Sequence, residues 1–120
     1  MDYVQVLESV ELMAGLDRAA AERAAAATLA VLAERIGRRA ADELASALPG
    51  KLRESLADAP QAADPFDADE FVGPLANRLQ LHSVEARQQA RAVLASLRED
   101  VVAVDRLRDR LPSDFQRLFA

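Results

Sequence analysis

The stretch Asp17–Gly37, DRAAAERAAAATLAVLAERIG, decides the fold. It is the longest uninterrupted helical pattern in the chain. Asp17 is an N-cap residue type and Gly37 a C-terminal stop signal, so the spacing predicts a helix between them. At about 100° per residue, Ala25, Leu29, Leu32 and Ile36 fall on one face. Ala20, Ala24, Ala27 and Val31 fall almost opposite. A helix that is apolar on two sides is either central in its fold or shared with a partner.

Working outward toward the N-terminus, Val6, Val10 and Met13, with Leu7 beside them, predict a short amphipathic helix over Asp2–Met13 that Gly15 ends. Leu16 stands just before the Asp17 cap, a hydrophobic-staple position. Beyond Gly37, Arg39–Leu48 carries Ala40, Ala41, Leu44 and Leu48 on one side. Pro49-Gly50 makes a turn, because proline cannot continue the preceding helix. Lys51–Ala57 then gives a last short helix with Leu52 and Leu56. The run 58–67, DAPQAADPFD, reads as a linker in which Phe66 is the one large apolar side chain.

The remainder repeats what precedes it. Asp67 and Glu70 fit a capping box. Phe71, Leu75 and Leu79 match the first helix. Leu81-His82-Ser83 stands in place of Leu16-Asp17, with Ser83 as the expected N-cap. Val84–Val101 matches the central helix through Ala90, Leu94, Leu97 and Val101. Ala103–Leu111 matches the third through Val104, Leu107 and Leu111, and Ser113-Asp114-Phe115-Gln116 caps a final turn holding Leu118 and Phe119. The shift is about 65 residues before the third helix and about 63 after it. A duplicated four-helix unit accounts for this. The expected architecture is all-α, a single domain of two related four-helix repeats with about eight helices: repeat one 1–57, linker 58–66, repeat two 67–120.

Composition supports that class. Of 120 residues, 51% are hydrophobic and 4% aromatic, and roughly a fifth are alanine, which favours helix and buries little area per residue. With no Cys there is no disulfide, thiolate metal site or cysteine nucleophile, which fits a reducing cytoplasmic setting. No run is long or apolar enough to span a bilayer. A net charge of −5 disfavours non-specific binding to nucleic acid or anionic lipid. Lys51 is the sole lysine, and the heavy Ala and Arg usage points to a GC-rich bacterial genome.

The ending Leu111-Pro112-Ser113-Asp114-Phe115-Gln116-Arg117-Leu118-Phe119 resembles the closing signature of the bacterial domain-of-unknown-function family 2267. Leu48-Pro49-Gly50-Lys51-Leu52 is similar to the closing motif of that family's first repeat, with Leu52 where the second repeat has an aromatic. The resemblance covers nearly the whole chain. It implies an all-helical fold and a bacterial source, and it brings no catalytic residue with it.

Candidate chemistry is sparse. His82 is the one imidazole and, without Cys or a second His, cannot make a typical zinc site. Ser83 beside it is explained by capping rather than by nucleophilic catalysis. Asp64, Asp67, Asp69 and Glu70 lack the EF-hand order and read as linker solubility and caps. Asp42 and Glu43 are adjacent and point different ways on a helix. No enzyme, cofactor or metal is expected. Arg87, Arg91 and Arg98, with Arg106, Arg108 and Arg110 beyond, raise a DNA-binding reading, but acidic residues are interleaved among them and no aromatic platform is present.

The sharper signal is the second stripe of the central helix. Its counterpart in the other half, Glu85, Gln89, Ala92 and Ser96, is polar. Ala20, Ala24, Ala27 and Val31 are therefore the candidate interface, small enough for another helix to approach. The expected function is a non-catalytic bacterial protein-interaction or scaffold module, with a homodimer through this stripe as one form. Two rival readings are a binder of a small apolar ligand between the repeats and a DNA-binding helical protein.

Overall fold

In the computed structural model, residues 2–64 and 67–98 are described. They form α1 (Tyr3–Ala14), α2 (Arg18–Ala45), the short α3 (Gly50–Arg53) continued by a 3-10 turn over Glu54–Leu56, α4 (Ala68–Leu79) and α5 (Ser83–Arg98). There is no strand among the described residues, so the all-α class holds, with five helices rather than about eight. Part of the difference is a merger in α2, described below. The two helices expected after residue 101, the Leu111-Pro112 motif and the tail residues Phe115, Leu118 and Phe119 lie outside the described residues, as do Phe66 and Val101.

A shift of 65 residues carries α1 onto α4 at both ends. Asp2 caps α1 by accepting from Gln5 N at 2.8 Å, with the Gln5 side chain accepting in return from Asp2 N. Asp67 caps α4 by accepting from Glu70 N at 2.8 Å. Such a cap satisfies one of the orphan amides of the first turn and stabilises by about 1 kcal/mol. Both helices close with a left-handed residue: Gly15 at φ 66° and Gln80 at φ 55°. The backbone bond Leu16 N to Glu11 O has its counterpart in Leu81 N to Ala76 O. α2 and α5 start in step as well. His82 holds the place that Asp17 has at α2, and its carbonyl accepts from Ala86 N as that of Asp17 accepts from Ala21 N. Ser83, expected to be the cap, is instead the first helical residue.

The packing is crossed. α1 rests chiefly on α5, and α4 on α2, with α1–α2 and α4–α5 as the hairpin contacts. The sequence periodicity selects the faces that meet. Val6, Leu7 and Val10 of α1, Phe71, Val72 and Leu75 of α4, Ala25, Leu29 and Leu32 of α2, and Ala90, Leu94 and Leu97 of α5 are all buried. One polar group sits among them: Thr28 is fully buried, and its Oγ1 has no hydrogen-bond partner among the described residues. Its counterpart 65 residues on is Val93, also fully buried.

Gly37 interrupts the helix where a stop was expected. It adopts φ 80°, ψ 174°, a conformation essentially restricted to glycine, and helical geometry resumes beyond it without a loop. The expected second and third helices are thus two arms of α2 about one kinked residue. The reason lies far along the chain. The run expected as a linker is strapped into the kink: Arg38 N donates to Pro60 O at 2.6 Å and Asp64 N to Glu34 O at 3.3 Å. The Arg38 guanidinium donates twice to Ala59 O, at 3.1 and 2.9 Å. A Cβ at Gly37 would lie 2.8 Å from Ala63 N, so the strap needs glycine at this point of closest approach. Ala59 is buried, whereas residues 60–64 stay exposed.

Candidate interaction surfaces

The second stripe of α2 turns inward. Val31 and Ala24 are fully buried within the chain, and Ala20 and Ala27 are half-buried. Within the chain the stripe is therefore largely covered, with Ala20 and Ala27 left partly exposed. α4 and the segment after α3 pack on α2 from sides its sequence leaves undistinguished. On α5, the supposedly polar counterpart is half covered too. Ala92 and Ser96 are buried, and Ser96 Oγ donates to Ala92 O at 2.7 Å, which removes the cost of hiding a hydroxyl. The same Oγ lies 3.7 Å from Met13 Sδ.

Two open grooves flank these stripes, and sequence reasoning missed both. The first is lined by Arg23, Ala26, Ala27 and Ala30 of α2 and by Arg78 and Leu79 of α4. Its third wall is Glu54, Ser55 and Asp58. The second is lined by Gln88, Arg91, Ala92 and Ala95 of α5 and by Met13 and Ala14 of α1. The shift of 65 residues maps the α2 set onto the α5 set, and the α1 pair onto the α4 pair, position for position. Neither groove is an enclosed apolar cavity of the kind a small apolar ligand needs.

Several of the described basic side chains have partners. Arg87 pairs with Asp69 at 2.7 Å, Arg78 with Glu34 at 2.9 Å across α4 and α2, and Arg18 with Glu11 at 2.6 Å. Arg53 donates to Leu48 O at 2.8 Å. Of the four acidic side chains that the calcium reading considered, Asp69 pairs with Arg87 and Asp67 caps α4 by accepting from Glu70 N. His82 and Ser83 are both exposed at the start of α5. Among the described residues no three His, Asp or Glu side chains gather as a metal site would require. No described helix is long and apolar enough to cross a membrane. Tyr3, half-buried on α1, has its phenol pKa raised, first by burial, then by Glu22 and Glu54, with Arg18 opposing.

What faces outward is unusual on α1. Leu12 is 85% exposed, directly opposite the stripe of Val6, Leu7 and Val10, and Val4 is half exposed on the same side two turns earlier. Met13 beside it is 53% exposed at the mouth of the second groove.

Among the described residues these features define an all-helical bundle with two open grooves. The chain belongs to the family of uncharacterized conserved proteins designated DUF2267, whose family model matches residues 3–118. No curated protein matches it.

Proposed function

We propose that the protein is a non-catalytic interaction module, and that the outer face of α1 carries the contact, with a second copy of the chain as partner. The observation that carries this is Leu12, a large apolar side chain left in solvent on a helix whose opposite face already supplies the core. Burying one leucine contributes roughly 1.5–3 kcal/mol, so a two-fold contact that covers two copies has a usable driving force. Val4 extends the same side of the helix, with Glu8 between them. The interaction function expected from the sequence thus keeps its class and moves from the buried α2 stripe to α1.

Light scattering over a concentration series, with Leu12→Glu beside the wild type, tests this. The wild type is expected to self-associate and the variant to stay monomeric with an unchanged circular dichroism spectrum. A wild type that remains monomeric at millimolar concentration overturns the proposal.

A further inference from the structure

We propose that residues 59–64 are a releasable strap: docked, they hold α2 bent at Gly37, and released, they let α2 close into one straight helix. The proposal stands on an exchange of backbone partners. In an unbroken helix the amide of Arg38 donates to the carbonyl of Glu34, four residues back. At the kink that pair is parted, and the strap takes both halves of it. Arg38 N donates to Pro60 O at 2.6 Å, and Glu34 O accepts from Asp64 N at 3.3 Å. The strap is thus inserted into one rung of the helix ladder, and a helix bends where another group enters its ladder.

Both arrangements satisfy the same two helix groups, so neither state leaves them orphaned. On release the Pro60 carbonyl and the Asp64 amide pass to water. The bend is favoured by the two bonds from the Arg38 guanidinium to Ala59 O, at 3.1 and 2.9 Å, and by the burial of Ala59. It is opposed by the alanine-rich sequence of α2, which favours uninterrupted helix. Gly37 makes both states reachable. Its φ 80°, ψ 174° is open to glycine in the bend, and glycine also enters a helix at modest cost. Residues 60–64 are exposed, so release gives up little burial beyond Ala59 and falls in the class of local openings. Asp58, just before the strap, lines the first groove beside Glu54 and Ser55. Release therefore unseats one wall of that groove and swings the arm beyond Gly37, with the backbone change absorbed at one residue, as in a hinge.

The chain has no cysteine, so introduced thiols report single sites. Ala59→Cys places one in the strap and Ala25→Cys one in the first arm of α2, both at buried positions. In native buffer, thiol labelling of the full chain is expected to be at least tenfold faster at 59 than at 25. Adding Arg38→Ala is expected to speed labelling at 59 by at least another tenfold, and by much more than at 25. Equal rates at the two sites, or an equal effect of Arg38→Ala on both, mean that the strap opens only with global unfolding and overturn the proposal. Straightening is read by the distance between spin labels on Glu22→Cys and Asp42→Cys, exposed positions on the two arms. A straight helix between them spans about 30 Å. A population near that distance is expected to grow in Arg38→Ala and, where the bend itself is strained, in Gly37→Ala. An Arg38→Ala chain that keeps the wild-type distance distribution also overturns the proposal.

Discussion

Thr28→Val should make this protein more stable. The Thr28 side chain is fully buried in α2, and its hydroxyl finds no partner among the described residues. Hiding a hydroxyl without a hydrogen bond costs about 1–3 kcal/mol. Valine has nearly the same shape, the same branching at Cβ and a similar helix propensity, so the substitution removes that cost without opening a cavity. It also puts a methyl where the oxygen was, worth at most about 0.8 kcal/mol more. The expected gain is about 1–2 kcal/mol. For a domain of this size each kcal/mol moves the melting temperature by roughly 3–5 °C. Urea unfolding followed by circular dichroism reads it as a higher midpoint at constant slope. The other half of the chain supplies the mirror experiment. Val93 occupies the equivalent buried place, so Val93→Thr should lose a similar amount. Thr28→Ser keeps the orphan hydroxyl and drops the methyl, and should be the least stable of the Thr28 series. If Thr28→Val is no more stable than the wild type at unchanged slope, the hydroxyl is satisfied in solution and the reasoning fails.

Gly37→Ala should destabilise by about 2 kcal/mol or more, since it adds left-handed strain to a contact with the Ala63 backbone. Gly50→Ala, where a Cβ meets nothing within 4 Å, should be neutral or slightly stabilising in the same urea assay. Tyr3 is the single tyrosine, so tyrosinate absorbance titrates it alone, with a midpoint above that of the urea-unfolded chain. Because folding raises this pKa, stability is unaffected below the unfolded value near about 10 and falls as pH rises from there through the folded value. Tyr3→Phe should flatten that fall.

Local signals in the sequence were enough for the α1 and α4 bounds, because Asp2, Gly15 and Asp67 act through their own backbone neighbours. The core faces were equally legible, since Leu29, Leu32, Leu94 and Leu97 declare their side by spacing alone. Gly37 was legible as a helix stop, but the close approach of Ala62 and Ala63 was not, because they lie more than twenty residues away. The Pro- and Ala-rich run after Asp58 looked like a spacer for the same reason that it works as a strap: small side chains let its backbone lie against α2. Ala24 and Val31 of the second stripe are buried within the chain itself. One helix read alone cannot say whether the surface it meets belongs to its own chain or to another. The exposure of Leu12 was hidden in the same way, because a short amphipathic pattern tolerates one apolar residue on its outer side.

The crossed packing has a kinetic consequence. Met13 and Ser96, in contact across α1 and α5, are 83 residues apart along the chain. Individual helices zip within microseconds, but the chief partner of α1 is the last described helix, so the first helix waits on closure of a long stretch of chain. The protein should therefore refold more slowly than its helix content suggests, and an amino-terminal fragment emerging from the ribosome holds its greasiest ridge uncovered until α5 has been made.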